Sequence, residues 1–183
     1  PSLLLTPVPD FHLIDINQYT SMNVQFSRGC PFSCEFCDII EIYGRVPRTK
    51  SSEQMLAEME ALRIAGWRGT VFIVDDNFIG NKREVRKFLP ELIKWSKQHN
   101  YPFSFLTEAS VNLAEDSALL ELMKSAHFHR VFLGIETPAA ESLKEANKSQ
   151  NTKSDLLESI KKIQSYGIEV MAGFIIGFDN DPE

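Results

Sequence analysis

Cys30, Cys34 and Cys37 are the only cysteines of the chain, and they fall within eight residues in the stretch Ser27-Arg28-Gly29-Cys30-Pro31-Phe32-Ser33-Cys34-Glu35-Phe36-Cys37. Gly29 and Pro31 disfavour a regular helix or strand through this segment, whereas a curled loop can aim the three thiols at one point. Thiolate is a soft ligand that suits zinc, copper(I) or iron-sulfur centres. Iron-sulfur clusters and many zinc sites take four cysteines, so one ligand is missing here. One reading is a Cys3His zinc site, or three ordinary buried thiols in a non-catalytic metal-binding or scaffold domain. The candidate histidines His12, His99, His127 and His129 are all remote in sequence, and the paired spacing of closed zinc sites is lacking. The other reading is a cluster with three protein ligands and one iron left open, as a catalytic metal keeps an open position.

Cys30-x-x-x-Cys34-x-x-Cys37, with aromatic Phe36 immediately before the last cysteine, resembles the cluster motif of the radical S-adenosylmethionine superfamily. The text from Val24 through Asn81 is similar to the cobalamin-dependent branch, in particular to hopanoid methylase-like proteins. The resemblance implies a 4Fe-4S cluster on the three cysteines, with the amino and carboxylate groups of S-adenosylmethionine on the fourth iron and Phe36 near the adenine. It further implies an electron donor, reductive cleavage to a 5′-deoxyadenosyl radical and hydrogen abstraction from a small-molecule or lipid-like substrate. In the cobalamin-dependent branch the outcome is often methyl transfer to an unactivated carbon, with cobalamin held by a domain outside these residues.

The elements that must position this loop alternate apolar runs with helix-period segments. Val24 to Phe26, Val71 to Val74, Phe103 to Leu106, Val131 to Ile135 and Val170 to Ile176 read as strands, and no hairpin signals separate them. Between them, Ser51 and Gln54 open a helix with a capping box, residues 82–99 form a second that Pro90 should kink, and others follow Asp116, Pro138 and Thr152–Asp155. Such repeats predict an α/β fold with right-handed crossovers: a partial parallel (β/α) barrel of about five to six repeats, a truncated TIM-like barrel.

In parallel barrels the chemistry sits at the carboxyl ends of the strands. There this chain places Asp75, Asp76 and Asn77, then Glu108 and Glu136, and finally Gly173-Phe174-Ile175-Ile176-Gly177-Phe178-Asp179-Asn180. By resemblance, Asp75, Asp76 or Asn77 replaces a Gly-Gly-Glu that receives the amino group of S-adenosylmethionine. Glu136 corresponds to a polar residue facing its ribose or carboxylate, and Ile175 to an apolar contact with adenine. Glu108 is a further candidate contact. The same carboxylates could also serve as turn and helix-start caps.

Nineteen basic and 25 acidic side chains leave a formal charge of −6, which offers no basic surface for nucleic acid. No apolar run reaches the roughly 18 to 20 residues of a membrane span. Three clustered cysteines do not form a secreted disulfide framework, which points to a cytoplasmic setting. Residues 1–20, with three prolines and no period, read as a linker from an absent upstream domain, and 21–183 as the core domain lacking its last repeat.

Overall fold

A computed structural model describes residues 2–181; Pro1 and residues 182–183, the outer ends of the expected linker and core domain, lie outside the described residues. In chain order the elements are β1 (Ser21–Val24), β2 (Ser27–Arg28), α1 (Ile39–Tyr43), β3 (Arg48–Thr49), α2 (Ser52–Ile64), β4 (Gly69–Ile73), α3 (Lys82–Gln98), β5 (Phe103–Ala109), α4 (Ser117–Ser125), β6 (Phe128–Glu136), α5 (Ala140–Glu145), α6 (Leu156–Gln164) and β7 (Glu169–Phe174). The sheet runs β1-β4-β5-β6-β7, with every pair parallel, so each neighbour is reached by a crossover through helix or loop. It is open, an arc of five strands. β2 and β3 form a separate two-residue antiparallel ladder.

Strand alternation divides the sheet into two faces. Val71, Ile73, Phe103, Phe105, Val131 and Leu133 are buried in one cluster with Met55, Met59 and Leu62 of α2, with Val85, Phe88, Leu89 and Leu92 of α3, and with Leu119, Leu120 and Met123 of α4. The opposite face carries Thr70, Phe72, Ser104, Leu106, Glu108 and Phe132, all half-buried. That face leads up to the strand ends.

Local signals explain the helix starts. Ser51 accepts from the Gln54 amide while the Gln54 side chain accepts from Ser51 N–H, the expected capping box. Asp155 caps α6, and Thr152 instead closes a preceding 3-10 turn. Pro90 sits inside α3 without breaking it. The ring is exposed, so water can serve the carbonyl that proline leaves without an amide partner.

Each strand's bounds shift by up to three residues from expectation. β1 ends at Val24 rather than Phe26, because the Phe26 amide leaves the ladder and donates to the Asp75 carboxylate at 2.7 Å. Residues 2–20, read from sequence as a linker, lie against the domain: Leu3 and Phe11 are buried, Gln54 Nε2 donates to Leu3 O at 3.1 Å, and Ile16 packs against the core. Apolar anchors compensate there for the ordering entropy.

Candidate functional site

β2 and β3 pinch together the ends of residues 29–47, so the cysteines ride on an excursion with a closed neck. Gly29 makes the turn possible. Its φ is +102°, and a Cβ there would stand 2.8 Å from Gly44 O, the carbonyl that accepts from Cys30 N–H at 3.3 Å. The Gly29 amide donates to Asp76 Oδ2 at 3.1 Å, tying the loop to the end of β4. On the far side, Glu35 N–H donates to Ala146 O at 3.0 Å, just beyond α5. The loop is therefore held between the end of β4 and the end of α5.

The three half-buried cysteines line a cleft of about 180 Å³ together with Phe36, Asp76, Asn77, Glu108 and Glu136. Five separate stretches of sequence meet there, four of them at or beyond the carboxyl ends of strands and one in the turn after α5. Asp75 and Ile175 stand apart. Asp75, expected at a cofactor, turns away as a latch: 1% exposed, it accepts from Phe26 N–H and from Ser27 Oγ, both at 2.7 Å. Burial pushes its pKa to about 6 against the pull of these donors, and Asp76 adds to the rise. Ile175 lies beside Glu136, whose carbonyl accepts from its amide at 2.8 Å, but lines a neighbouring hollow with Phe174, Ile176 and Phe178.

Lys148 and Gln150 line the cleft too, and sequence reasoning missed both. They follow α5 in a buried turn that no periodicity marks. Lys148 Nζ pairs with Glu136 Oε1 and lies 5.4 Å from the Phe36 ring centre. Glycine at 134 makes room for that pair, since a Cβ would collide with both charged groups. Glu136 holds φ +66°, an uncommon conformation for a residue of its size that aims its side chain at Lys148. A signal for Lys148 was available in hindsight: a buried Glu136 needs a cation.

Burial pushes the Cys30 thiol up, and nearby Cys34 and Cys37 reinforce this against donors from Phe32 and Asn77. Burial likewise raises Glu108, with Asp76 contributing. A cation bound in the cleft would reverse both tendencies.

The donor set fits a cluster better than one ion. Among the described residues, no three His, Cys, Asp or Glu side chains converge on a single-ion site. Thiolates that each hold a different iron of one cluster need not converge in that way. Across from the sulfurs, Asn77 Oδ1 and Gln150 Oε1 are buried acceptors without a partner, suited to a ligand that brings N–H or O–H donors.

Comparison with known proteins follows the same lines. An uncharacterised methyltransferase of Synechocystis sp. is 55% identical over 183 residues, covering 100% of this chain and 34% of that protein. The hopanoid C-2 methylase of Rhodopseudomonas palustris is 42% identical over 179 residues, 98% of this chain and 34% of its own. The chain thus spans about a third of the length of the curated relatives it matches. Among solved structures, the radical S-adenosylmethionine methyltransferase TsrM of Kitasatospora setae, with cobalamin and a 4Fe-4S cluster bound, superposes with a TM-score of 0.75 at 16% identity. That match covers 90% of this chain and 33% of TsrM, and it establishes the fold. A family model matches residues 24–183, from the end of β1 across the motif cysteines to the last strand, and the chain belongs to the Radical SAM superfamily.

Proposed function

We propose that this domain holds a 4Fe-4S cluster on Cys30, Cys34 and Cys37, binds S-adenosylmethionine in the adjoining cleft, and serves cobalamin-dependent methylation of a lipid-like carbon skeleton within a longer protein. The observation that carries the reading is the cleft itself, which gathers the three cysteines and the polar ends of three successive strands. When bound, the cluster would supply the electron that cleaves the sulfonium reductively. The protein's own groups then have separable tasks. Asp76, Asn77 and Glu108 present acceptors to an ammonium. Lys148, held by Glu136, is the cleft's cation and suits a carboxylate or a ribose oxygen. Phe36 is 44% exposed at the rim, with Lys148 Nζ over its ring, and offers its remaining aromatic surface to a purine. Ile175, just beyond β7, lines the neighbouring hollow that shares Glu136 with the cleft and would add an apolar contact to a ligand reaching that far.

The methylation part rests on the relatives, named as methyltransferases and hopanoid methylases, and so does the lipid-like substrate. An electron donor in a reducing cytoplasm completes the scheme. Among the described residues no helix is long and apolar enough to cross a membrane, so the substrate would be met at a surface or delivered.

The test is anaerobic reconstitution of the full-length protein. We expect about four irons per chain, by the stoichiometry of such a cluster, and dithionite-dependent release of 5′-deoxyadenosine from S-adenosylmethionine. The Cys34→Ala variant should lose both. Zinc in place of iron, or a variant that keeps its iron, would sink the assignment.

A further inference from the structure

Gln150 lies outside every motif considered so far, yet it makes a specific contact with the cysteine loop. Its Nε2 donates to Cys34 Sγ at 3.6 Å, across 116 residues of sequence. The side chain is no surface amide: the residue is 4% exposed, and its Oε1 is buried without a partner. An amide held so that its N–H meets sulfur and its oxygen meets nothing in the protein is poorly explained as packing, since an apolar residue of the same size would avoid the orphaned acceptor. The turn that carries it is well anchored. Asn151 Nδ2 donates to the Gly134 and Ile135 carbonyls, both at 3.0 Å, and Lys148 is paired with Glu136. On the other wall Asn77 Nδ2 donates to Ser110 Oγ at 3.1 Å and to Cys30 Sγ at 3.9 Å, so Gln150 makes the shorter N–H···S contact.

Hydrogen bonds to the ligating sulfurs are one of the protein's means of setting a cluster's reduction potential. A donor stabilises the form with more negative charge on sulfur, the reduced one. We propose that Gln150 is a tuning residue, donating an N–H···S bond to Cys34 that makes the bound cluster easier to reduce. The proposal rests on the assignment of Cys34 as a cluster ligand.

The experiment is a redox titration of the reconstituted full-length protein, followed by the electron paramagnetic resonance of the reduced cluster, for wild type and Gln150→Met. Methionine keeps the length and removes the donor. With iron content equal to wild type, the midpoint should move to more negative potential, so that at a fixed potential the ratio of reduced to oxidised cluster falls about fivefold, the factor one net hydrogen bond is worth. A packing role predicts no such shift, and an unchanged midpoint overturns the proposal. Should Gln150→Met fail to hold iron, the wild-type protein decides: in D2O the reduced cluster must show a coupled exchangeable deuteron that selective amide-15N labelling of glutamine assigns to a Gln side chain, and its absence overturns the proposal. Failure of the wild type to bind iron would instead remove the function proposed above, so the two failures are distinct.

Discussion

Asp75 shows how a residue placed at the functional end of a strand can work for the fold instead. Its carboxylate replaces the ladder partner of Phe26 and holds Ser27, so it fixes the direction in which the chain leaves β1 three residues before Cys30. The arrangement costs stability near neutral pH. With the pKa raised from 3.8 to about 6, the folded chain binds a proton between those values that the unfolded chain releases. The stability this group contributes is therefore greatest below pH 4 and falls as the pH rises to about 6, by on the order of 3 kcal/mol. Asp75→Asn keeps an acceptor for Phe26 N–H and can donate to Ser27 Oγ. Urea unfolding at pH 4 to 7 should show the variant gaining stability relative to wild type as the pH rises, and a constant difference would refute this account. The Ser51–Gln54 capping box and the gathering of the three cysteines at one cleft were readable because each signal spans only a few residues. Asp75 was misread because its partners lie 48 and 49 residues away, and carboxylates that cap and carboxylates that bind look alike in a sequence.

At the scale of elements, the parallel α/β architecture and the helix faces were legible from apolar runs alternating with helical-period segments. The neck formed by β2 and β3 was not, because two residues on either side carry no pattern. Nor was the turn after α5, whose Lys148, Gln150 and Asn151 would pass for a polar surface loop and are all buried. The loop's support also reaches deeper into the core than its composition suggests. Phe26 stacks on Phe88 of α3 at 5.1 Å between ring centres and meets Phe78 edge-on at 5.8 Å. Phe88→Ala should cost about 3–5 kcal/mol and lower the thermal midpoint by roughly 10 °C. Exposed Lys94→Ala should shift it by no more than about 0.5 kcal/mol equivalent. Thermal denaturation of the two variants checks both, and similar midpoints would mean that the aromatic stack does not secure the loop's root.

For the whole molecule, the open arc leaves β7 at one end of the sheet, with Met171, Phe174 and Ile176 exposed beside it. Parallel strands rarely leave such an edge to solvent. The 183-residue chain on its own should self-associate through this edge, and Met171→Lys with Ile176→Lys should restore a monomer. Light scattering after size exclusion would read the outcome, and equal masses for the two proteins would exclude β7 as the contact. The clasp on the cysteine loop has a further consequence, for the order of events during synthesis. Gln150 follows Cys34 by 116 residues. At a translation rate of about 5–20 residues per second, the thiols wait roughly 6 to 23 seconds for the turn that completes their enclosure. Throughout that window they are open to oxidants and to adventitious metals, so the cell must either keep the nascent loop reduced or load it only after the turn has closed.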